Sequence, residues 1–442
     1  MDPITRLTLI TVLLFMARGM TGPLSSLYWR SLGASYLVIG LLGTVTSVTT
    51  IGASALWGRA SDRRGRRGFL VGGLAALAAG FGLVAMAPGA GALFPIYALT
   101  AAAQAAYDTA SLALMGDWLE HRAHAAGATR GDGGLRMGTY RGLASLGFGV
   151  MAFVSGGLAD RLSLRAPFAL AAGIYSVAVV LAWAVREPPA VAQSEALSRE
   201  SGRDGAGAAR PSAAQASRWR VREQRTRSGR SRYGEADAPR GQGGLPRLPL
   251  APLLVAALLW SLVTGAVYAV WGNYMVDELG YAPAEMTRLW ALASLAEFPL
   301  MIAAGALSDR LGRLPMLTLG FVAWGLVFSG YLVAPVMPWI VVVQLIRGFA
   351  YSAHTATTMI YAAEVRERAE RGRVSGLLGT AGALGAILGS SLGGAVTEIV
   401  GFRALIGAAA AVIFAGAVYL AGAALAFVRA RRGRAPIPSA GQ

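Results

Sequence analysis

Five ionisable side chains lie inside stretches that are otherwise apolar: Arg18, Asp108, Glu297, Arg347 and His354. At the centre of a bilayer each would cost roughly 2.5–3.5 kcal/mol on insertion scales, so each needs a partner or a task. Glu297 lies in an apolar run with alanine and leucine on either side, and a carboxyl held away from water suits a site that takes up and releases a proton. The bland alternative is a structural carboxylate paired with an arginine. Arg347, Tyr351 and His354 are spaced by four and three, so they share one helix face. An arginine and a histidine on one face suit hydrogen bonding to a polar solute or pairing with Glu297; a helix–helix hydrogen bond would also account for His354. Arg18 and Asp108 are expected to pair with each other, as glue or as a clamp. Tyr268 and Trp271, three apart, could stack on a sugar or a heterocycle.

The elements that must carry these groups follow from composition. The 442 residues are 55% hydrophobic and 14% charged, with a mean hydropathy of +0.51. A soluble domain has roughly 25% charged residues. Twelve apolar runs, each long enough to cross a bilayer, fall near 5–29, 36–57, 68–88, 92–117, 138–158, 166–185, 249–275, 286–306, 314–334, 337–362, 374–396 and 403–427. The class is all-α and integral to the membrane. The first run exceeds the apolar region of a signal peptide and is read as a retained helix. There is no cysteine, and no nucleophile–base or metal-ligand cluster stands out, so no enzyme, cofactor or metal is expected.

Charge sets the orientation. All 40 basic side chains are arginine, the net charge is +17, and the arginines fall in alternate loops. That placement speaks against nucleic-acid binding and puts those loops, with both termini, in the cytoplasm. Residues 186–248, rich in Arg, Gly and Ser, are expected to be a disordered cytoplasmic linker. It separates six-span halves at 1–185 and 249–428, and 429–442 form a cytoplasmic tail.

The halves are repeats. "GRASDRRGRR" at 58–67 and "GALSDRLGRL" at 305–314 superpose at an offset of 247, which also aligns Leu32-Gly33 with Leu279-Gly280. "GGLADRLSLRAPF" at 156–168 matches "GGAVTEIVGFRAL" at 393–405 at an offset about ten shorter. Duplicated six-helix units with a solute path between them are a common transporter plan. At the offset of 247, Arg18 faces Gly265, and Asp108 has no matching acid.

The doubled turn resembles the signature loop of the major facilitator superfamily. Gly58, Asp62, Arg63, Gly65, Arg66 and Arg67 carry it complete; Gly305, Asp309, Arg310, Gly312 and Arg313 repeat it, with Leu314 in place of the last basic residue. The resemblance implies twelve helices in two bundles and transport by alternating access, with Asp62 bridging the halves when the transporter opens outward. "YWRSLGASYLVIGLL" at 28–42, "YRGLASLGFG" at 140–149 and "AEFP" at 296–299 are similar to the branch of lactose permease and the nucleoside–proton symporters. By that likeness Arg141, followed by Gly147 and Phe148, is a substrate residue, and Glu297 and His354 match a span-eight acid and a span-ten histidine. The fifth and eleventh spans lack the Gly-Pro pair of drug–proton antiporters.

The expectation is therefore a monomeric, proton-coupled symporter in the plasma (inner) membrane, moving a small polar organic solute that is sugar- or nucleoside-like. Proton coupling falls to Glu297, His354 and Asp108; substrate binding to Arg18, Arg141, Arg347, Tyr351, Tyr268 and Trp271. A drug–proton efflux antiporter and a non-transporting membrane sensor are the alternatives. Deleting most of 190–245 while leaving a bridge of roughly 15–20 residues, whose span grows as about 5–6 Å times the square root of their number, should leave transport intact. Transport lost at normal expression would show that the segment does more than connect.

Overall fold

The computed structural model describes residues 2–125, 133–187, 248–333, 336–365 and 371–432. Twelve helical spans follow in order: α1 Pro3–Ser31, α2 Tyr36–Arg64, α3 Arg66–Ala85, α4 Ala90–Ala125, α5 Gly133–Arg161, α6 Ala166–Trp183, α7 Leu250–Glu278, α8 Pro283–Leu311, α9 Arg313–Val333, α10 Met337–Glu364, α11 Arg371–Ile399 and α12 Phe402–Arg432. Met1–Arg186 and Leu248–Arg429 form one compact unit. The linker expected at 186–248 lies almost wholly outside the described residues, as do residues 433–442 of the tail.

Ten of the twelve helices are long and apolar enough to cross a membrane on composition alone. The two that fall short are α4 and α10, which carry Gln104 and Asp108, and Gln344, Arg347 and His354. Their lower hydropathy is the cost of their polar residues. On the outer surface large apolar side chains are exposed, Val180 at 71% and Ile302 at 66% among them, as a hydrocarbon solvent permits.

The repeat is written into the backbone. Among the described residues five glycines have positive φ, and four of them form two pairs at the offset of 247: Gly33 and Gly280 at 88° and 73°, Gly65 and Gly312 at 87° and 91°. Gly65 ends α2 and starts α3, and Gly312 does the same for α8 and α9. A side chain at either turn would be forced into a left-handed conformation. The charged turns are thus a backbone requirement met twice.

One element departs from expectation. The first span is broken: a 3₁₀ turn at Gly22–Leu24 divides its two helical pieces. Pro23 has no N–H for the carbonyl four residues back, so the regular ladder fails there. Span seven keeps a helix through the equivalent residues and ends in a π turn at Tyr274–Glu278.

The halves meet through two crossings related by the repeat, α2 on α11 and α8 on α5. Both are backbone contacts. A Cβ on Gly394 would lie 2.9 Å from the Cα of Gly40, and one on Gly156 would lie 2.6 Å from the Cα of Ala284. Thr44 and Ser391 share a hydrogen bond of 2.6 Å beside the first crossing. Both crossings lie toward the end of the bundle opposite Gly65 and Gly312. Toward the charged end, Gly52 of α2 and Gly376 and Gly379 of α11 have nothing within 4 Å of where a Cβ would stand. The halves therefore join at one end and part toward the other.

Replacing Gly394 by valine should prise this seal apart, since overpacking costs about 1–3 kcal/mol. That shifts a two-state equilibrium roughly 5- to 150-fold. The chain has no cysteine, so a spin-label pair placed across the sealed end reports the separation without background. An unchanged distance distribution would show that the crossing does not hold the halves together.

Candidate functional site

Against the seal lies a cavity of about 230 Å³ built by both halves. The first half supplies Pro23, Ser25 and Trp29 from the break in α1, and the second supplies Thr264, Tyr268 and Trp290. At about 30 Å³ for each water, it has room for roughly eight waters or a small solute. Hydroxyls and aromatic faces line it, and among the described residues no charged side chain does.

The charge stands behind the wall. Arg347 is 4% exposed, and its guanidinium carbon lies 4.6 Å from the Trp290 ring and 5.6 Å from the Tyr268 ring. One Nη donates to the Trp290 carbonyl at 3.4 Å, while Nε has no partner. The hydroxyls of Tyr268 and Tyr331 and both side-chain polar atoms of Gln344 are buried beside Arg347 and, among the described residues, none makes a hydrogen bond of regular geometry. Such a group of unanswered donors and acceptors is rare in a finished core.

Glu297 lies two turns from Trp290 on the same stripe of α8 and forms no ion pair among the described residues. Pro299, inside the same helix, leaves the carbonyl of Leu295 without its usual donor. The Ser352 hydroxyl donates to the Glu297 carbonyl at 3.1 Å, tying α10 to α8 at this level. His354 is placed apart from it: its ring stacks on Trp260 at 4.4 Å and 15°, and its Nδ1 has no hydrogen-bond partner. Tyr351 also faces Trp260, at 6.1 Å. The shared face of Arg347, Tyr351 and His354 is thus divided: Arg347 lies against Trp290 of α8 and Tyr268 of α7, and His354, two turns on, against Trp260 of α7.

Trp271 does not line the cavity. Three residues rotate a helix by about 300°, which turns it roughly 60° away from Tyr268. It is fully enclosed, edge-on to Trp290 at 5.0 Å, and braces that ring from behind. Trp290, which the sequence reading passed over, takes the place expected of Trp271. The signal available was its spacing of seven from Glu297.

In the first half, Arg18 and Asp108 do pair, at 3.2 Å, and Arg18 also donates to Gln104 at 3.3 Å. Their side chains are 32% and 46% exposed, so the pair is open to solvent rather than sealed in the bundle. Arg141 belongs to α5, and its side chain lies outside the described residues.

At the charged end, Arg66 pairs with Asp117 of α4 and, at 3.6 Å, with Asp62. Its mate Arg313 binds Asp309 at 2.6 Å and Glu364 of α10 at 2.7 Å. Asp117 and Glu364 are separated by the same 247 residues as the two turns, a third repeated member that the sequence reading missed.

The sequence matches the MFS_1 like family over residues 4–406. The chain belongs to that family, and is a membrane transporter of the major facilitator superfamily. No curated protein sequence matches it. Among solved structures it is similar to the nucleoside transporter NupG, at 16% identity and a TM-score of 0.67 over 97% of this chain and 99% of that one. The peptide transporter POT in complex with sulfate aligns at 16% identity and a TM-score of 0.68, over 97% and 95%. A bacterial homolog of the human lysosomal transporter Spinster, inward-facing and unoccupied, aligns at 14% identity and 0.64, over 99% and 98%.

At the sealed end of the transporter each half caps a helix of the other. Glu398, at the end of α11, accepts the first backbone N–H of α2, from Tyr36, at 2.7 Å. Asp160, at the end of α5, accepts the N–H of Ala284 in the first turn of α8 at 3.2 Å. A carboxylate at a helix N-terminus answers both the orphan donors and the dipole. The Tyr36 hydroxyl adds a bond to Asp277 at 3.1 Å. The seal therefore has two charged latches as well as two glycine crossings. Removing both charges in Asp160→Asn with Glu398→Gln should raise opening at this end roughly 3- to 30-fold. Labels across the sealed end would show it, and an unmoved population would mean that the glycine crossings alone hold the seal.

Proposed function

We propose that the protein is a secondary transporter of the plasma (inner) membrane that moves a small polar organic solute by alternating access, coupled to protons at Glu297. The observation that carries this reading is the cavity between the halves, with buried Arg347 behind Tyr268 and Trp290 and with Glu297 two turns away on the stripe of Trp290. Aromatic faces suit a ring, and the hydroxyls of Ser25 and Thr264 together with the unanswered polar atoms around Arg347 suit its polar edge. The nucleoside transporter and peptide transporter among the structural neighbours are in keeping with a solute of this kind. The arginine-rich loops favour a cytoplasmic side for the parted end, and on this reading the conformation is inward-open.

Glu297 suits proton coupling because it lacks a fixed counter-charge. Arg347 is within electrostatic reach of it but forms no ion pair with it. Opening and closing of the halves around the cavity would change the water around the carboxyl, and so link protonation to conformation. A proton crossing 100 mV releases about 2.3 kcal/mol, enough for accumulation.

Glu297→Gln keeps the shape and hydrogen bonding of the protonated acid but cannot titrate. It should abolish uphill accumulation in liposomes on an imposed pH gradient while preserving counterflow, which needs no net proton movement. A variant that still accumulates solute would move the coupling role to Asp108.

A further inference from the structure

A second pocket, of about 690 Å³, lies at the charged end of the first half, away from the solute cavity. Arg6, Arg67 and Arg186 surround it, with Trp118 and Trp183. Three donors converge there on the C-terminus of α6. Arg6 donates to the Ala184 carbonyl, Arg67 to the Trp183 carbonyl at 2.6 Å, and the Trp118 indole to the Arg186 carbonyl at 3.0 Å. Taken alone, this is a helix C-terminus capped by basic side chains.

The repeat argues for more than a cap. At the offset of 247, Arg6 corresponds to Leu253, Arg67 to Leu314 and Trp118 to Val365. Those three are 0%, 1% and 0% exposed, members of the continuous apolar core of the second half. The fold therefore closes this corner with aliphatic side chains where nothing else is asked of it. In the first half the same positions hold two guanidinium groups and an indole around an open space. A guanidinium has five N–H donors, so a carbonyl cap leaves room for other partners.

We infer that this pocket binds a phosphate-bearing anion, the headgroup of an anionic phospholipid in the leaflet at the charged end. Arginine forks match phosphate oxygens, and basic pockets between membrane helices take such headgroups. Trp183 is 63% exposed, and Val180 and Val177, at 71% and 54%, continue its stripe down α6 at intervals of three. That stripe offers an apolar track for an acyl chain below the headgroup, which a soluble phosphate would not use. Asp2 and Glu187 adjoin the lining residues in sequence and, like Arg67, have further partners; three guanidinium groups against two carboxylates leave the corner net positive. Arg67 and Trp118 directly follow Arg66 and Asp117, so a lipid here braces α3 and α4 against α6 beside the charged turn.

The full chain, purified in neutral detergent, would be titrated with phosphatidylglycerol, phosphatidylcholine and glycerol 3-phosphate, with bound lipid read by native mass spectrometry and stability by thermal unfolding. Phosphatidylglycerol alone should bind and raise the unfolding midpoint. Arg6→Gln with Arg67→Gln keeps an N–H for each capped carbonyl but removes both charges; it should weaken that binding roughly 30-fold, about fivefold for each arginine. Unchanged binding in the folded double variant, or equal binding of phosphatidylcholine, would overturn the inference. Glycerol 3-phosphate binding as well as phosphatidylglycerol would overturn the lipid source in favour of a soluble phosphate. If the double variant does not fold, photo-crosslinking of phosphatidylglycerol to the unaltered protein decides. Attachment to α3, α4 or α6 supports the site, and attachment only elsewhere overturns it.

Discussion

Backbone-to-backbone approach of the two halves at one end is the contact on which the rest of the structure depends. Where α2 meets α11 and α8 meets α5, glycine lets main chains come closer than any side chain would allow. In a bilayer there is no hydrophobic drive to press helices together, so dispersion and polar contacts at close range must do it. The cavity lies against these crossings, and the parting of the charged end is their geometric consequence. Any cycle that exposes the cavity to the other side has to undo them.

The repeat separates what the fold needs from what the function adds. Gly33 and Gly280, Gly65 and Gly312, Asp62 and Asp309, Arg66 and Arg313, and Asp117 and Glu364 recur at one offset, and they set turns and tie helix ends. The charges inside the membrane do not recur: Glu297 stands opposite Thr50, Arg347 opposite Thr100, His354 opposite Tyr107, Arg18 opposite Gly265 and Asp108 opposite Thr355. A polar side chain that only one copy carries is not a requirement of the bundle. The same comparison singles out Arg6, Arg67 and Trp118.

The sequence made legible whatever depends on composition or on short spacing. Twelve spans, the doubled turn and the Arg18–Asp108 pair were readable, because burial in lipid forces apolar runs and forbids unanswered charge. It could not show which way a residue faces when both faces of a helix are apolar, so nothing in it tells that Trp290 lines the cavity while Trp271 stands behind it. It gave no sign of the break in α1 beyond Gly22-Pro23, a pair that many membrane helices tolerate. The latches at Asp160 and Glu398 join groups more than 100 residues apart, each an ordinary acid at the end of a span. Nothing local marks such a residue as the cap of a distant helix.

The two charged turns are alike in sequence and unlike in how firmly they hold. Arg313 grips Asp309 at 2.6 Å while bound to Glu364. Asp62 and Asp309 are equally exposed, at 68% and 67%, and each arginine is shared with a second acid, but Asp62 stands 3.6 Å from Arg66. A carboxylate so loosely held loses little on leaving its partner, because an exposed ion pair at that distance is worth at most about 1 kcal/mol. Asp62 is therefore the cheaper of the two to redirect toward the opposite half when the parted end closes. On the proposed cycle the complete turn would be the latch that moves, and its copy, with Leu314 buried where Arg67 is exposed, the brace that stays. Closing one end against two carboxylate caps at the other then becomes an exchange of like contacts. A transporter that must pass both ways through its cycle needs that near balance.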